Sequence, residues 1–199
     1  MHKIEAVREE FPALSSTTFL RSAGVGPLPR STISAMLRLT EELRVSFAGA
    51  AWEDNPLEDA RSHAADLLNA HSEEIVLTDS TSTAINLLAG AIPWQARENI
   101  VLNDLEYPAN IFPWLYQAER NRLKIRMVRC EDGRLPLDKL MAAIDNKTRV
   151  VSLSHLEFGT GFRNDVSALA EAVHDCGGLI WVDAIQSLGV LSIDINDWA

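Results

Sequence analysis

Two hydrophobic periods take turns along most of this chain. From about Asn55 onward, stretches with apolar residues three and four apart alternate with short apolar runs bounded by polar residues. These are the patterns of amphipathic helix and buried strand. NPLEDARSHAADLLNA predicts a helix, with Asn55 as cap, Pro56 in the first turn and Glu58 three residues after the cap. EEIVLTD predicts a short strand and STAINLLAGAI the helix after it. Next come strand NIVLND and helix ANIFPWLYQAERN, with Pro113 placed to kink it. Strand LKIRMVR leads into helix LPLDKLMAAI, which carries Leu137, Leu140, Met141 and Ile144 on one face. Strand RVVSLSH and helix DVSALAEAVHDCGG follow, the helix started by Asn164 or Asp165 and stopped at Gly177. Strand LIWVDA is apolar enough for burial on both faces.

Such alternation predicts an α/β fold: three layers, with a doubly wound, mostly parallel sheet between two sets of helices. Residues up to Ala51 follow another pattern, a short strand TFLR, a Gly/Pro-rich turn SAGVGPLPR and one long helix. The expected organisation is therefore an N-terminal arm and helix over 1–51 and a sheet domain over 52–199. Trp52 and Trp181 are expected in the core or at a subunit contact, and Asn110 and Trp114 in helix packing.

Composition narrows the partners. The chain has 199 residues, 47% hydrophobic and 23% charged, which fits one globular domain or a large piece of a bigger one. A net charge of −10 with no Lys/Arg run argues against nucleic acid, which needs a basic patch. MHKIEAVREEFPAL lacks the apolar region of a secretory signal, and no apolar run has the length of a membrane span. A cytoplasmic location without a membrane partner is expected. Cys130 and Cys176 sit apart without metal-ligand spacing, so they are expected to be structural thiols, and no metal site is predicted.

In open α/β sheets ligands bind beyond the carboxyl ends of the strands. Here those ends carry Thr78 to Ser82, Asn103 to Tyr107, Ser154 to Gly161 and Asp183 to Gln186. Hydroxyls in LTDSTSTAIN serve either as a helix cap or as a cradle for a phosphate. Asp183 closes an apolar strand, where a carboxylate is costly without a partner, and Gln186 stands close behind it.

Five segments in order, AGVGPLP, TDSTSTAIN, LEYPANIFPW, SHLEFGTGFRND and VDAIQSLG, resemble the class V aminotransferase family of fold-type I pyridoxal-phosphate enzymes. That family includes cysteine desulfurases, kynureninases and isopenicillin N epimerase-like proteins. The resemblance implies pyridoxal 5'-phosphate as cofactor and an amino acid as substrate, joined to the cofactor aldehyde. It implies that Thr81 and Ser82 hold the phosphate at a helix start, with Ser80 adding its N–H. Asp183 pairs with the pyridine nitrogen and keeps it protonated, Gln186 bonds the phenolic oxygen, and Tyr107 stacks on the ring. Asp183 and Tyr107 are thus the implied catalytic residues. His155 is either a strand-end His bonded to backbone or a third catalytic group on the substrate side. Phe158 is expected to face substrate, and Arg163 is either a surface cation or an anchor for the substrate carboxylate.

Two positions depart from the family's pattern. Tyr107 stands where desulfurases carry a ring-stacking His, and Phe158 where many carry an Asn. Both changes point to a substrate pocket unlike that of a desulfurase. The family's chemistry also begins with a lysine that forms a Schiff base with the cofactor, one strand and turn beyond the Asp–Gln motif. Lys3, Lys124, Lys139 and Lys147 do not match that position. The chain is therefore expected to be the N-terminal half of such an enzyme, with the sheet domain incomplete at its C-terminus and the small domain absent. It is one part of a split enzyme, a truncated product, or a non-catalytic subunit or scaffold. A homodimer, or a hetero-oligomer with a lysine-bearing chain, is the expected assembly.

Overall fold

The computed structural model describes residues 2–21, 24–45 and 56–198. Asn55, Trp52 and the expected domain boundary at Ala51 lie outside the described residues. The chain forms two compact units, Met1–Pro56 and Leu57–Ala199. In the first, α1 (His2–Glu9) leads through a single 3-10 turn (Pro12–Ser15) to α2 (Arg30–Val45). Glu10 accepts at its carbonyl from the Arg30 backbone N–H (2.8 Å) and at its carboxylate from that of Ser31 (3.2 Å). An acid thereby meets the free N–H groups and positive dipole end of α2. TFLR is not a strand: Leu20 is 90% exposed, and no described backbone pairs with this segment.

The second unit runs α3 (Pro56–Leu68), α4 (Thr81–Ala91), β1 (Asn99–Asn103), α5 (Phe112–Asn121), β2 (Lys124–Val128), α6 (Leu137–Ala143), β3 (Thr148–Ser154), α7 (Val166–Asp175) and β4 (Leu179–Asp183). The four strands form one sheet in the order β2-β1-β3-β4, and every pairing is parallel. Strand alternation sends side chains to opposite faces. Ile100 and Leu102 of β1 pack with Ile85 and Ala89 of α4 and Trp114 and Ala118 of α5. Val101 between them packs on the other face, with Leu140 of α6 and Leu169 and Val173 of α7. The sheet is covered on both sides, as the alternation predicts. Trp114 is fully buried and donates from its indole to Ser152 Oγ (2.9 Å), while the half-buried Trp181 meets it edge-on.

Three local expectations fail for identifiable reasons. EEIVLTD is not a strand: residues 72–74 form a 3-10 turn, Val76 is 78% exposed, and no described strand lies beside it to complete a ladder. Pro113 does not kink its helix, because α5 begins only at Phe112 and a proline in the first turn removes no intrahelical bond. β4 is not buried on both faces: it is an edge of the described sheet, and Leu179 is 42% exposed. Its last residue, Asp183, is buried. The start of α7 is settled in favour of Asp165, whose side chain accepts from the Ala168 N–H (3.2 Å). Gly178 lets the end of α7 cross the start of β3, since a Cβ there would lie 2.8 Å from the Thr148 carbonyl oxygen.

Candidate active site at the switch point of the sheet

The strand order reverses between β1 and β3, which opens a crevice beyond their carboxyl ends. The residues that fill it are more acidic than the sequence pattern suggests. Glu106, after β1, accepts from Asn103 Nδ2 (3.0 Å), Asn110 Nδ2 (2.8 Å), Ser154 Oγ (2.8 Å) and the Ser154 backbone N–H. Asn110 has two amide protons and spends its short bonds on two acids, Glu106 and Asp183 Oδ2 (2.9 Å). Asp183 also accepts at Oδ1 from the Ile185 N–H (2.8 Å), a local bond that closes the turn after β4. Asn164 extends the network on its other side, donating to the Ser154 carbonyl and to Glu157 Oε1, both at 2.8 Å.

Three buried carboxylates thus share one crevice. Glu106 and Asp183 are each 8% exposed and Glu157 1%. Among the described residues no Lys, Arg or His is ion-paired to any of them. Two buried atoms of the network lack partners, Asn110 Oδ1 and Glu157 Oε2. Burial, then the neighbouring Glu106 and Asp183, push the Glu157 carboxyl from its ordinary 4.5 up to about 7.

The sequence-predicted residues fall in three places. Asp183 joins the network directly. Tyr107 and Phe158, the two departures from the family pattern, touch each other: their rings meet edge-on with centroids 5.3 Å apart, and both are about half exposed. Gln186 is half-buried in the turn after Asp183. His155 is 2% exposed, and its ring meets Trp198 edge-on with centroids 5.2 Å apart. Its Nε2 accepts from Arg163 Nε (3.2 Å), so the ring proton sits on Nδ1, facing Ser187 Oγ at 3.1 Å. Burial and the Arg163 charge lower its pKa, which keeps the ring neutral. Arg163, exposed otherwise, is therefore tied to His155.

The hydroxyl cluster opens α4. Ser80 is its cap, with Oγ accepting from the Thr83 N–H (3.1 Å), and Thr81 and Ser82 form its first turn. α4 packs on α5 and on the 108–110 turn that carries Asn110. Ser80→Ala is expected to cost about 1 kcal/mol through loss of that cap. Chemical denaturation of both proteins measures it, and an unchanged midpoint would show that the cap does not matter.

Sequence reasoning missed Glu106 and Glu157 and assigned Asn110 to packing alone. Their signal was faint. Glu106 and Asn110 are four apart in LEYPAN, and Glu157 is a lone acid between apolar residues.

Comparison with known proteins decides the lineage. The family model described as aminotransferase class-V matches residues 19–199. The chain belongs to this family. A relative described as a probable cysteine desulfurase, from Methanothermobacter thermautotrophicus, is 31% identical over 98% of this chain and 50% of its own. The apo structure of a cysteine desulfurase from Thermococcus onnurineus superposes with a TM-score of 0.84 at 24% identity, covering 98% of this chain and 50% of that one. A C-DES mutant with glycine covalently linked to its PLP cofactor gives 0.82 at 24% identity, covering 95% and 52%. These two structures bear on the fold. The class V chain described here spans about half the length of the curated relatives it matches. No helix among its described residues is long and apolar enough to cross a membrane.

Proposed function

We propose that this switch-point crevice is the pyridoxal-phosphate site of a class V enzyme that acts on an amino acid. The observation that carries the reading is the buried carboxylate network ending on Asp183, which has no cation of its own among the described residues. A protonated pyridine nitrogen fits that demand, because a buried carboxylate is stabilised by a positive partner. Asp183, held by Asn110 and by the Ile185 N–H, would hold a proton at the ring nitrogen. Ser80, Thr81 and Ser82 would take the phosphate with hydroxyls and with the unpaired N–H groups at the start of α4. Tyr107 would cover the ring face, and Gln186 would reach the phenolic oxygen. The bound cofactor supplies an electron sink for the substrate's α-carbon.

The Tyr107–Phe158 pair gives the substrate side an aromatic wall. We therefore extend the reading to an amino acid and not to cysteine in particular. Arg163 donates to His155, so any role as a carboxylate anchor falls to its terminal nitrogens. Absorbance titration of the full chain with pyridoxal phosphate tests the site, and absence of saturable binding would refute it.

Lysine placement adds a second element. Lys124 begins β2 and Lys147 precedes β3, both at the amino ends of the strands, and Lys139 on α6 is paired with Glu131. In this reading the Schiff-base lysine would lie outside the second unit. Borohydride reduction of the cofactor-loaded chain, followed by peptide mapping, should find no stoichiometric pyridoxyl-lysine in that unit. Full labelling of Lys124, Lys139 or Lys147 would overturn this. The same observation favours, as a second reading, a subunit of this fold without catalysis of its own. Turnover of an amino acid by the chain in its native assembly would exclude that.

A further inference from the structure

The crevice holds more buried acid than one ring nitrogen needs. Glu106 accepts four hydrogen bonds and Asp183 two, so each oxygen of both carboxylates has a donor within the chain. Glu157 accepts one side-chain bond, from Asn164 to Oε1, and its Oε2 is buried without a partner. An ionised carboxylate in that position would have lost its hydration on one oxygen and gained nothing in return. The charged groups around it offer no relief. Glu106 faces it from the turn after β1 and Asp183 from the end of β4, both negative. At the end of β3, His155 is neutral, and the Arg163 side chain is turned to it.

We propose that Glu157 carries the proton of this three-acid network in the cofactor-free chain and releases it to solvent when a pyridinium ring docks on Asp183. It is a positioning residue that couples cofactor binding to pH. The inference rests on the site reading above. Its balance is simple: one O–H bond of Glu157 breaks, the proton goes to water, and the new carboxylate meets the arriving positive charge. Nothing is oxidised or reduced. Burial and the two neighbouring acids already hold the Glu157 proton up to about pH 7, so the release falls in the neutral range.

Two measurements on the full chain test it. Infrared difference spectra across neutral pH read the carbonyl band of a protonated carboxylic acid, without cofactor. The wild-type chain should show that band and Glu157→Gln should lack it. An unchanged band in the variant, or none in the wild type, overturns the location of the proton. Calorimetry of pyridoxal-phosphate binding, in buffers of different protonation enthalpy, then counts protons. Glu157→Gln should take up more protons per cofactor than the wild type, by up to about one. Equal counts overturn the coupling, because a merely structural role would change stability and not the proton count. A wild-type chain that shows the band but binds no cofactor refutes the site reading, and the coupling with it.

Discussion

Asp183→Asn is expected to weaken pyridoxal-phosphate binding by about 10- to 100-fold, the loss of one charge-assisted hydrogen bond worth about 1.5–3 kcal/mol. Asparagine is nearly the same size but brings no negative charge to keep the pyridine nitrogen protonated. Its effect on activity should exceed its effect on binding, since the electron sink needs that proton. The substitution also disturbs the fold locally. Asp183 uses both oxygens as acceptors, from Asn110 Nδ2 and from the Ile185 N–H, and an amide has one oxygen. One donor is left without its acceptor, so stability should fall by about 1–3 kcal/mol. Fluorescence titration at a temperature where both proteins are folded separates the two effects. Equal affinity in the variant would show that Asp183 does not face the ring nitrogen.

The stability contributed by Glu157 should fall as pH rises from about 4.5 to 7, so the advantage of the wild type over Glu157→Gln should shrink across that range. In the folded chain, burial and then Glu106 and Asp183 hold the Glu157 proton up to about pH 7, whereas its ordinary value is 4.5. Between those values the folded state binds more protons than the unfolded state, so raising pH favours unfolding. The stability contributed by the neutral acid is whole below pH 4.5 and is lost by about pH 7. The span corresponds to about 3 kcal/mol. Glutamine keeps the shape and one acceptor for Asn164 but does not titrate. Urea midpoints across this range measure the slope in both proteins. A variant with the wild-type slope would place the titrating group elsewhere.

Glu157 illustrates why part of the site was illegible. A lone Glu after a strand reads as a solvated loop residue, because acids are seldom buried without a partner. It is buried because the turn 157–162 folds back on itself: Gly161, at φ 70°, donates to the Glu157 carbonyl, and the Glu157 N–H donates to that of Phe162. The same holds for Asn110. Its packing against α5 was foreseeable, but its role as bridge between Glu106 and Asp183 ties it to a residue 73 positions away. His155 shows the reverse case. Its place at a strand end was plain, and only the folded chain shows that its ring is held between Arg163, Ser187 and Trp198.

By itself, the sequence determined the alternation of strand and helix and the placement of polar residues at the carboxyl ends of strands. Those are local properties: hydrophobic period, caps and β-branched runs act over a few residues. It also carried the family through motifs in order. Tertiary structure decided what depends on neighbours distant in sequence. EEIVLTD has the composition of a strand yet forms none, because a strand exists only where another backbone meets it. LIWVDA is half exposed because among the described residues it has one neighbouring strand and not two. The order β2-β1-β3-β4 sets the crevice, and the crevice brings three acids together with no cation among the described residues. That charge arrangement is a property of the folded sheet, since only pairing in register sets Ser154 beside Asp183 and both beside Glu106.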